Sequence, residues 1–274
     1  MMRKLPRTFV EKPWGVDKIP KEFCHSSDEP VGEVWFTPPP ELQELLVKFI
    51  FTSERLSVQV HPNDTQAHEM GVGVNGKSEC WVIVDADPGA TIAVGFKRRL
   101  DASQLREAAL DGSIVDDLVW HEVRRGDAFY IPAGTVHAIG GGVSLIEVQQ
   151  NSDSTFRLYD YGRPRELHLD QAIAVADPGP YPATLRSQMD AEAGELVNGP
   201  HFRLSYLHIV PDRPDRCAYT GSGLVIPFSG SISIGGEPFD RGDCAFVEDL
   251  AIASISGSGV VLIAAPNSPG AKAC

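Results

Sequence analysis

The sequence lacks an excess of positive charge. It carries 24 lysines and arginines against 37 aspartates and glutamates, so its formal net charge is −13 over 274 residues. So acidic a chain is poorly suited to bind nucleic acid or an anionic membrane surface through non-specific electrostatics. The composition therefore predicts neither kind of partner, and an anionic ligand would have to be held by a few local cations.

Long apolar runs and paired cysteines are also missing. The longest apolar runs, such as residues 260–266, fall far short of the roughly 20 residues that a membrane span needs. The basic N-terminus has no apolar signal core before its first Pro and Trp. The cysteines are odd in number and contain no CxxC pair: Cys24, Cys80, Cys217, Cys244 and Cys274. This pattern indicates reduced thiols, and we expect a cytoplasmic protein.

Glycine and proline are abundant, with 26 and 21 residues that separate many short apolar runs. The best of these runs predict strands at 45–52, 56–60, 80–85, 91–96, 128–131, 144–149 and 155–161. Helices are expected at about 103–111, with Ser103 as the N-cap, and near 170–175. Short strands with frequent turns predict an all-β protein built from barrels or sandwiches.

A weak internal repeat in the sequence predicts two lobes. The tripeptide RGD at 125–127 recurs at 241–243, an offset of 116 residues. At this offset two polar residues are replaced in the second copy: His137 by Ala253, and Glu147 by Ile263. We therefore expect a first lobe over 1–176, a linker rich in Pro, Gly and acidic residues over 177–200, and a metal-free second lobe over 201–274.

Two segments of the first lobe carry ligand-like residues. The pattern G-x5-P-x-G-x2-H ends at His137, where Pro and Gly fix a tight turn before a strand. Upstream, Gln59 and His61 lie on one face of a predicted strand, and Glu79 follows. Two imidazoles, a carboxylate and an amide carbonyl form a compact nitrogen–oxygen ligand set for a divalent metal. The spacings resemble the two motifs of cupin barrels, which implies double-stranded β-helix (jelly-roll) lobes.

The same segments resemble the type I mannose-6-phosphate isomerases, also called phosphomannose isomerases. The motifs that carry the resemblance are KPWG at 12–15, LSVQVHP at 56–62, GKSECW at 76–81, GDAFYIPAGTVHAI at 126–139 and LIEVQQNSDSTFRLYDYGR at 145–163. The match is dense over about residues 10–165 and weaker after them. The length is similar to that of compact bacterial members, although Gly76 stands where some longer members have His.

The resemblance implies an aldose–ketose isomerase that interconverts D-mannose 6-phosphate and D-fructose 6-phosphate through a cis-enediol. It implies one Zn²⁺ per chain, and other divalent metals would suit the same ligands. The metal ligands that it implies are four: Gln59, His61, Glu79 and His137. The cations that it implies for the sugar phosphate are three: Lys48, Lys77 and Arg157. We expect a monomer or a homodimer.

Glu147 is the predicted proton carrier. It is the one acid in the run VSLIEVQQ, where desolvation would destabilise a lone ionised carboxylate. Asp153 is a second catalytic candidate, for opening the sugar ring, and Trp14 is a candidate wall of the pocket. Lys77 and Arg157 are catalytic candidates as well, because cations stabilise an enediolate oxygen.

Structural alternatives stay open for these residues. They are a lysine snorkelling to a strand end for Lys48, a solvated loop lysine for Lys77, a packed core residue for Trp14, an ion pair with Asp153 or Asp160 for Arg157, and an ion pair with Arg157 for Glu147. The remaining histidines lack ligand-like spacing and are predicted to be surface or structural residues: His25, His68, His121, His168, His201 and His208.

Two other functions compete with the isomerase. One is a non-catalytic cupin that binds a sugar phosphate and uses the metal only to organise its pocket. The other is a metal-dependent cupin oxygenase, which needs an open triad of two histidines and one carboxylate and has no use for three cations.

Overall fold

The short apolar runs of the sequence become strands in the computed structural model, which describes residues 2–211 and 219–267. In this part of the chain, nineteen strands form three antiparallel sheets, accompanied by four short α-helices. The predicted all-β fold is confirmed. No helix within the described ranges is long and apolar enough to cross a membrane. Cys217, Cys274 and part of the predicted second lobe lie outside the described residues.

The strands are β1 (Met2–Lys4), β2 (Arg7–Val16), β3 (Val31–Phe36), β4 (Leu45–Phe51), β5 (Val58–Val60), β6 (Glu79–Ala86), β7 (Thr91–Phe96), β8 (Leu118–Glu122), β9 (Asp127–Ile131), β10 (His137–Ile139), β11 (Val143–Gln150), β12 (Phe156–Tyr159), β13 (Arg186–Gln188), β14 (Gly194–Asn198), β15 (Phe202–Ile209), β16 (Gly223–Ile234), β17 (Glu237–Asp240), β18 (Ala245–Val247) and β19 (Ile255–Pro266). The α-helices are α1 (Asp64–Glu69), α2 (Ala102–Asp111), α3 (Ile114–Asp117) and α4 (Leu169–Val175). Single 3₁₀ turns span Lys21–Phe23, Ala183–Leu185 and Leu250–Ile252.

Two of the sheets pack face to face and form the first barrel. One has the strand order β13-β9-β6-β11-β4-β3-β2, and the other has the order β12-β5-β10-β7-β8. Side chains alternate along β6, so that Trp81 and Ile83 enter the barrel core while Cys80 and Val82 face outward. The inner face of this barrel is therefore where side chains from both sheets can meet.

The third sheet has the order β1-β18-β16-β19-β15-β14, with β17 paired to β16. One of its faces packs on the outward face of the first barrel, where Phe49 and Ile146 share a core with Leu224 and Leu262. Its other face has a separate apolar core. Both faces of this sheet and of the β6–β11 sheet are thus buried, which explains why their strands are so rich in aliphatic residues.

The helices cover the outer face of the five-stranded sheet, where α2 and α4 pack on β5, β7 and β12. The prediction of Ser103 as the N-cap of α2 is wrong. Asp101 caps the helix, because its carboxylate accepts from Gln104 N at 2.9 Å and Gln104 Oε1 accepts from Asp101 N at 3.1 Å. This reciprocal capping box starts the helix two residues earlier than a lone serine would.

The chain passes between the lobes more than once. Residues 2–4, predicted with the first lobe, pair with β18 of the third sheet. The predicted linker contains two strands, of which β13 joins β9 in the first barrel and β14 joins β15 in the third sheet. Residues 189–193 therefore carry the crossing between the sheets. The division into a catalytic and a metal-free domain stays a prediction.

Candidate active site

Three buried side chains meet inside the first barrel. Ligating atoms of His61, Glu79 and His137 all lie within 4.8 Å of one another. His137 is on β10, and His61 follows β5, the strand paired with it, while Glu79 comes from β6 of the opposite sheet. Oxygen and nitrogen ligands from facing sheets thus converge on one point.

The two imidazoles are oriented by their other nitrogen. His61 Nδ1 donates to Ser154 O at 2.9 Å, and His137 Nδ1 donates to Thr135 O at 2.8 Å. In each neutral ring the proton is then on Nδ1, and the lone pair of Nε2 faces the cluster. Burial, reinforced by the nearby Lys77, lowers the pKa of His61 to about 4, and burial also lowers the pKa of His137. Both rings are therefore neutral, as metal ligands must be.

The other donors of the cluster also suit a divalent metal. Glu79 Oε1 is buried without a hydrogen-bond partner among the described residues, and His137 Nε2 lies 3.4 Å from it. Gln59, opposite His137 in the sheet, places its amide Nε2 3.3 Å from His137 Nε2. A 180° turn of that amide would present Oε1 instead. The donor set of two nitrogens and two oxygens fits zinc.

A lysine ammonium lies against this cluster. Lys77 Nζ is 2.7 Å from Glu79 Oε2, 3.2 Å from His61 Nε2 and 3.8 Å from Glu147 Oε1. Burial opposes its charge, but the attraction of Glu147 and Glu79 outweighs burial and raises the pKa of Lys77. For Glu79, burial is outweighed chiefly by the charge of Lys77, so its pKa lies well below the usual value. The solvated-loop alternative for Lys77 is wrong, since the side chain is buried.

Glu147 is held by partners on both neighbouring strands. Lys48 on β4 and Trp81 on β6 stand directly opposite it. Lys48 Nζ lies 3.3 Å from Glu147 Oε1, and Trp81 Nε1 donates to Oε2 at 2.9 Å. The expectation that Glu147 stands alone is wrong, and so is the alternative that it pairs with Arg157. The partners arise from strand pairing, which the run VSLIEVQQ does not reveal.

Lys48 is buried and does not snorkel to a strand end. Its Nζ lies 4.3 Å from the centre of the Trp35 ring, in addition to its ion pair with Glu147. Burial lowers the pKa of Lys48 even though Glu147 acts against it. Contacts with the Glu147 carboxylate and the Trp35 ring therefore stabilise the charge of this buried ammonium.

A cavity of about 360 Å³ opens beside the cluster. The predicted residues that line it are Trp14, Lys48, Gln59, Lys77, Glu147, Asp153 and Arg157. Gln59 and Lys77 also contact the metal-ligand cluster, so they join the cavity to it. A larger and shallower groove, lined by Arg124, Asp127 and Arg186, contains none of the predicted site residues.

The outer parts of the cavity are formed by the remaining candidates. Trp14 belongs to the barrel core and also lines the cavity, so its two alternatives hold together. Asp153 is an exposed lining residue. Arg157 has no carboxylate within 4.0 Å among the described residues, because Asp160 binds Arg163 and Arg165 instead. The alternative of an ion pair for Arg157 is therefore wrong.

Among the ionisable and aromatic side chains that line the cavity, sequence reasoning missed five: Lys12, Glu33, Trp35, Arg165 and His168. Trp35 could have been found, since it lies opposite Lys48 on the neighbouring strand. Arg165 and His168 lie after β12 in a segment without periodicity, so no pattern marked them. His168 was predicted to be a surface or structural residue, yet it lines the cavity.

Gly76 is required by its surroundings. A Cβ at this position would lie 2.4 Å from the carbonyl carbon of Asn63, and Gly76 N donates to Asp64 Oδ1 at 2.7 Å. A side chain such as His therefore has no room here. The close approach fixes the segment that carries Lys77 and Glu79 into the barrel.

No family model matches the chain. A mannose-6-phosphate isomerase of Streptococcus mutans is 40% identical over 168 residues, which cover 58% of this chain and 52% of that protein. The chain therefore matches about half the length of this curated relative. The crystal structure of the mannose 6-phosphate isomerase from Bacillus subtilis superposes with a TM-score of 0.80 and 25% identity, over 96% of this chain and 98% of that one. A mannose 6-phosphate isomerase bound with zinc and yttrium shares the fold, with a TM-score of 0.74 and 15% identity over 97% and 100% of the two chains.

Proposed function

We propose that this protein is a metal-dependent aldose–ketose isomerase that interconverts D-mannose 6-phosphate and D-fructose 6-phosphate. The observation that carries the proposal is one cavity in which a buried carboxylate, Glu147, lies between two lysines and next to the cluster of His61, Glu79 and His137. A binding protein or an oxygenase has no need of a proton carrier flanked by cations. The likeness to named mannose-6-phosphate isomerases supports the choice of substrate.

The cluster would hold one zinc per chain through His61, Glu79 and His137, with Gln59 as the fourth ligand. Bound zinc would supply Lewis acidity that polarises the carbonyl of the open-chain sugar. The residues around the cluster set the rest of the chemistry. Ser154 O and Thr135 O fix the orientation of the two imidazoles, burial keeps both rings neutral, and Lys77 balances the charge of Glu79.

Glu147 would move the proton between the two reacting carbons. Its carboxylate removes the proton from C2 of the aldose while the C1 oxygen gains a proton, which gives the cis-enediol. The carboxyl then returns its proton to C1 as the C2 hydroxyl loses one, which gives the ketose. Trp81 fixes the carboxylate, and Lys48 and Lys77 stabilise its ionised form and the developing enediolate oxygens.

The remaining candidates would act on the bound sugar. Asp153 would assist ring opening from the exposed side of the cavity, Trp14 would form a wall, and Arg157 would bind the substrate as a cation. We further propose that the metal centre is confined to the lobe of residues 1–176, with 201–274 as a supporting, metal-free lobe. A cytoplasmic monomer or homodimer completes the proposal.

The proposal is tested by assaying the metal-analysed protein for fructose 6-phosphate formed from mannose 6-phosphate, with and without a chelator. We expect turnover that chelation abolishes and zinc restores. Lys77→Ala and Arg157→Ala should lower kcat/KM with metal content near the wild-type level. A zinc-loaded protein that binds mannose 6-phosphate without turnover would instead be a binding protein, and one that binds no sugar phosphate would refute the proposal.

A further inference from the structure

The cations of the cavity differ in how far they are neutralised. Four of them have a carboxylate within 4.0 Å: Lys12 with Glu33 at 3.5 Å, Lys48 with Glu147 at 3.3 Å, Lys77 with Glu79 at 2.7 Å and Arg165 with Asp160 at 2.6 Å. Within the described residues, Arg157 is the one lining lysine or arginine that has none. Among the lining lysines and arginines, Arg157 is therefore the cation left available to pair with an anionic ligand.

The contacts of Arg157 leave its terminal nitrogens available and orient a histidine. Its Nε donates to Glu166 O at 3.0 Å, so the guanidinium is anchored through one edge. Its backbone N–H donates to His168 Nδ1 at 3.2 Å. Because Nδ1 accepts a hydrogen bond, neutral His168 carries its proton on Nε2, which lines the cavity as a donor and lies 3.9 Å from Glu166 Oε2.

Arg165 is fixed in place by a carboxylate that it shares. Its Nε and Nη2 both donate to Asp160 at 2.6 Å, which immobilises the planar group. Asp160 also accepts from Arg163 at 3.1 Å, so one buried carboxylate serves two guanidinium groups. Arg163 also pairs with Glu54 at 2.9 Å, so two carboxylates balance these two guanidinium groups, and the donor geometry of Arg165 is set before any ligand arrives.

The charges of the cluster also act on one another. Burial, then the nearby Arg165, lowers the pKa of Arg157, and burial, then Arg157, lowers the pKa of His168. Asp160 and Glu166 oppose these effects without reversing them. An anion bound among the three groups would relieve this repulsion.

We propose that Arg157, Arg165 and His168 form the subsite for the phosphoryl group of the substrate, an inference that rests on the proposed function. Lys48 and Lys77 are committed to Glu147 and Glu79, so they serve the reacting carbons. Arg157 lies beside Gln59, and Gln59 lies beside His137, in adjacent strands. Two strand spacings are about 10 Å, which suits a six-carbon sugar extended between the metal-ligand cluster and its 6-phosphate.

The chemical class that the subsite selects is a phosphate monoester dianion at the end of a polyol. Two guanidinium groups and an imidazole N–H match the oxygens of a tetrahedral dianion. A neutral sugar would leave the Arg157 guanidinium without an anionic side-chain partner among the described residues. Asp153 lines the cavity more than 4.0 Å from the Arg157 guanidinium, so it lies outside the ion-pair range of the subsite.

Two variants test the subsite. His168→Asn keeps an acceptor for the Arg157 N–H and removes the Nε2 donor, and Arg165→Gln removes a charge. For each variant we expect a fall of about 10–100-fold in the ratio of kcat/KM for mannose 6-phosphate to kcat/KM for mannose. The fall should come from a higher KM for mannose 6-phosphate. The inhibition constant of inorganic phosphate should rise in parallel. Zinc content should stay at the wild-type level.

Arg163→Gln is the matched control, because Arg163 binds the same Asp160 without lining the cavity. It should leave the discrimination ratio and phosphate inhibition as in the wild type. An unchanged ratio in His168→Asn and Arg165→Gln, or an equal shift in Arg163→Gln, would overturn the subsite. If the wild type shows no isomerase activity, calorimetric titration of the same variants with mannose 6-phosphate and inorganic phosphate still decides the proposal separately.

Discussion

β11 and β19 are counterparts that differ on one face only. Under the offset of 116 residues, β11 (Val143–Gln150) falls on the second half of β19, and both strands are central in their sheets. Their outward residues belong to the same core between the lobes: Ile146 and Val148 from β11, and Leu262 and Ala264 from β19. Their inward residues differ: Leu145, Glu147 and Gln149 in the first barrel, and Val261, Ile263 and Ala265 in the third sheet.

A second pair of positions shows what fills the space. In the first barrel, Glu79 on β6 stands opposite Gln149 on β11. In the third sheet, the position that corresponds to Glu79 is Gly223 on β16, one residue before the pair of Leu224 and Ala264. A Cβ at Gly223 would lie 2.5 Å from the Leu250 side chain, which is fully buried. Where one lobe places a metal-ligand candidate, the other places a leucine.

The comparison teaches that the strand framework and the chemistry are separable. The shared apolar face joins the lobes, while the inner face is free to be either a polar site or an apolar core. Burying two lysines and two glutamates is costly even when they are paired. The apolar interior of the second lobe stabilises the fold without that cost, which suits a supporting role.

The largest effect should come from the metal-ligand cluster. We expect His137→Ala to lose most of its zinc and on the order of 10³-fold in kcat/KM, because a Lewis acid contributes several kcal/mol. Ala253→Ser, at the corresponding place in the other lobe, should change neither quantity. Metal analysis measures the zinc content, and the assay for fructose 6-phosphate formation measures kcat/KM. A fully zinc-loaded His137→Ala protein would show that His137 is not a ligand.

Glu147→Gln should separate the proton carrier from the metal. The amide keeps the Trp81 contact but cannot accept a proton, so kcat should fall by roughly 10²–10⁴ with zinc unchanged. The counterpart Ile263→Val should keep kcat and lower the free energy of unfolding by about 0.5–1.5 kcal/mol. If Glu147→Gln still exchanges the C1 or C2 hydrogen with solvent at a near-normal rate, the carrier is another residue.

Leu250→Ala, in the second lobe, should lower stability and leave catalysis unchanged, which is the opposite of what Glu147→Gln should do. Removing a fully buried leucine leaves a cavity, so the free energy of unfolding should fall by about 2–5 kcal/mol. Zinc content and kcat of the folded fraction should be close to wild type. Denaturant titration measures the free energy of unfolding, and the isomerase assay without denaturant measures kcat. A functional role of Leu250 would instead lower kcat and leave the free energy of unfolding unchanged.

Acid should destabilise the first lobe of the chelated protein. The folded pKa of His61 is about 4, below the unfolded value of about 6.5, so its contribution is complete above pH 6.5 and is lost as pH falls toward 4. The loss from this group is about 3 kcal/mol. Unfolding titrations between pH 7 and pH 4 should show a shallower pH dependence for chelated His61→Ala. Equal pH dependence in both proteins would contradict the assignment.

Local patterns predicted much of the framework but few of the contacts. β7 was predicted to its terminal residues, because a short apolar run between turn signals leaves little freedom. The pairing of Lys48 with Glu147 depends on the register between strands about 100 residues apart, and no local pattern encodes that register. Arg165 and His168 are placed by tertiary packing of a segment without periodicity.

The sheet that contains β6 and β11 is buried on both faces, and this makes the first lobe sensitive to changes in length. One residue inserted before Glu147 within β11 would turn that carboxylate into the apolar core between the lobes and bring an aliphatic side chain into the cavity. The insertion would therefore abolish activity and also disrupt the packing between the lobes. Residues 189–193, between β13 and β14, carry no such alternation. An insertion scan should therefore find that residues 189–193 tolerate an added residue and that β11 does not. The site can then change by substitution, whereas changes in chain length are confined to other segments.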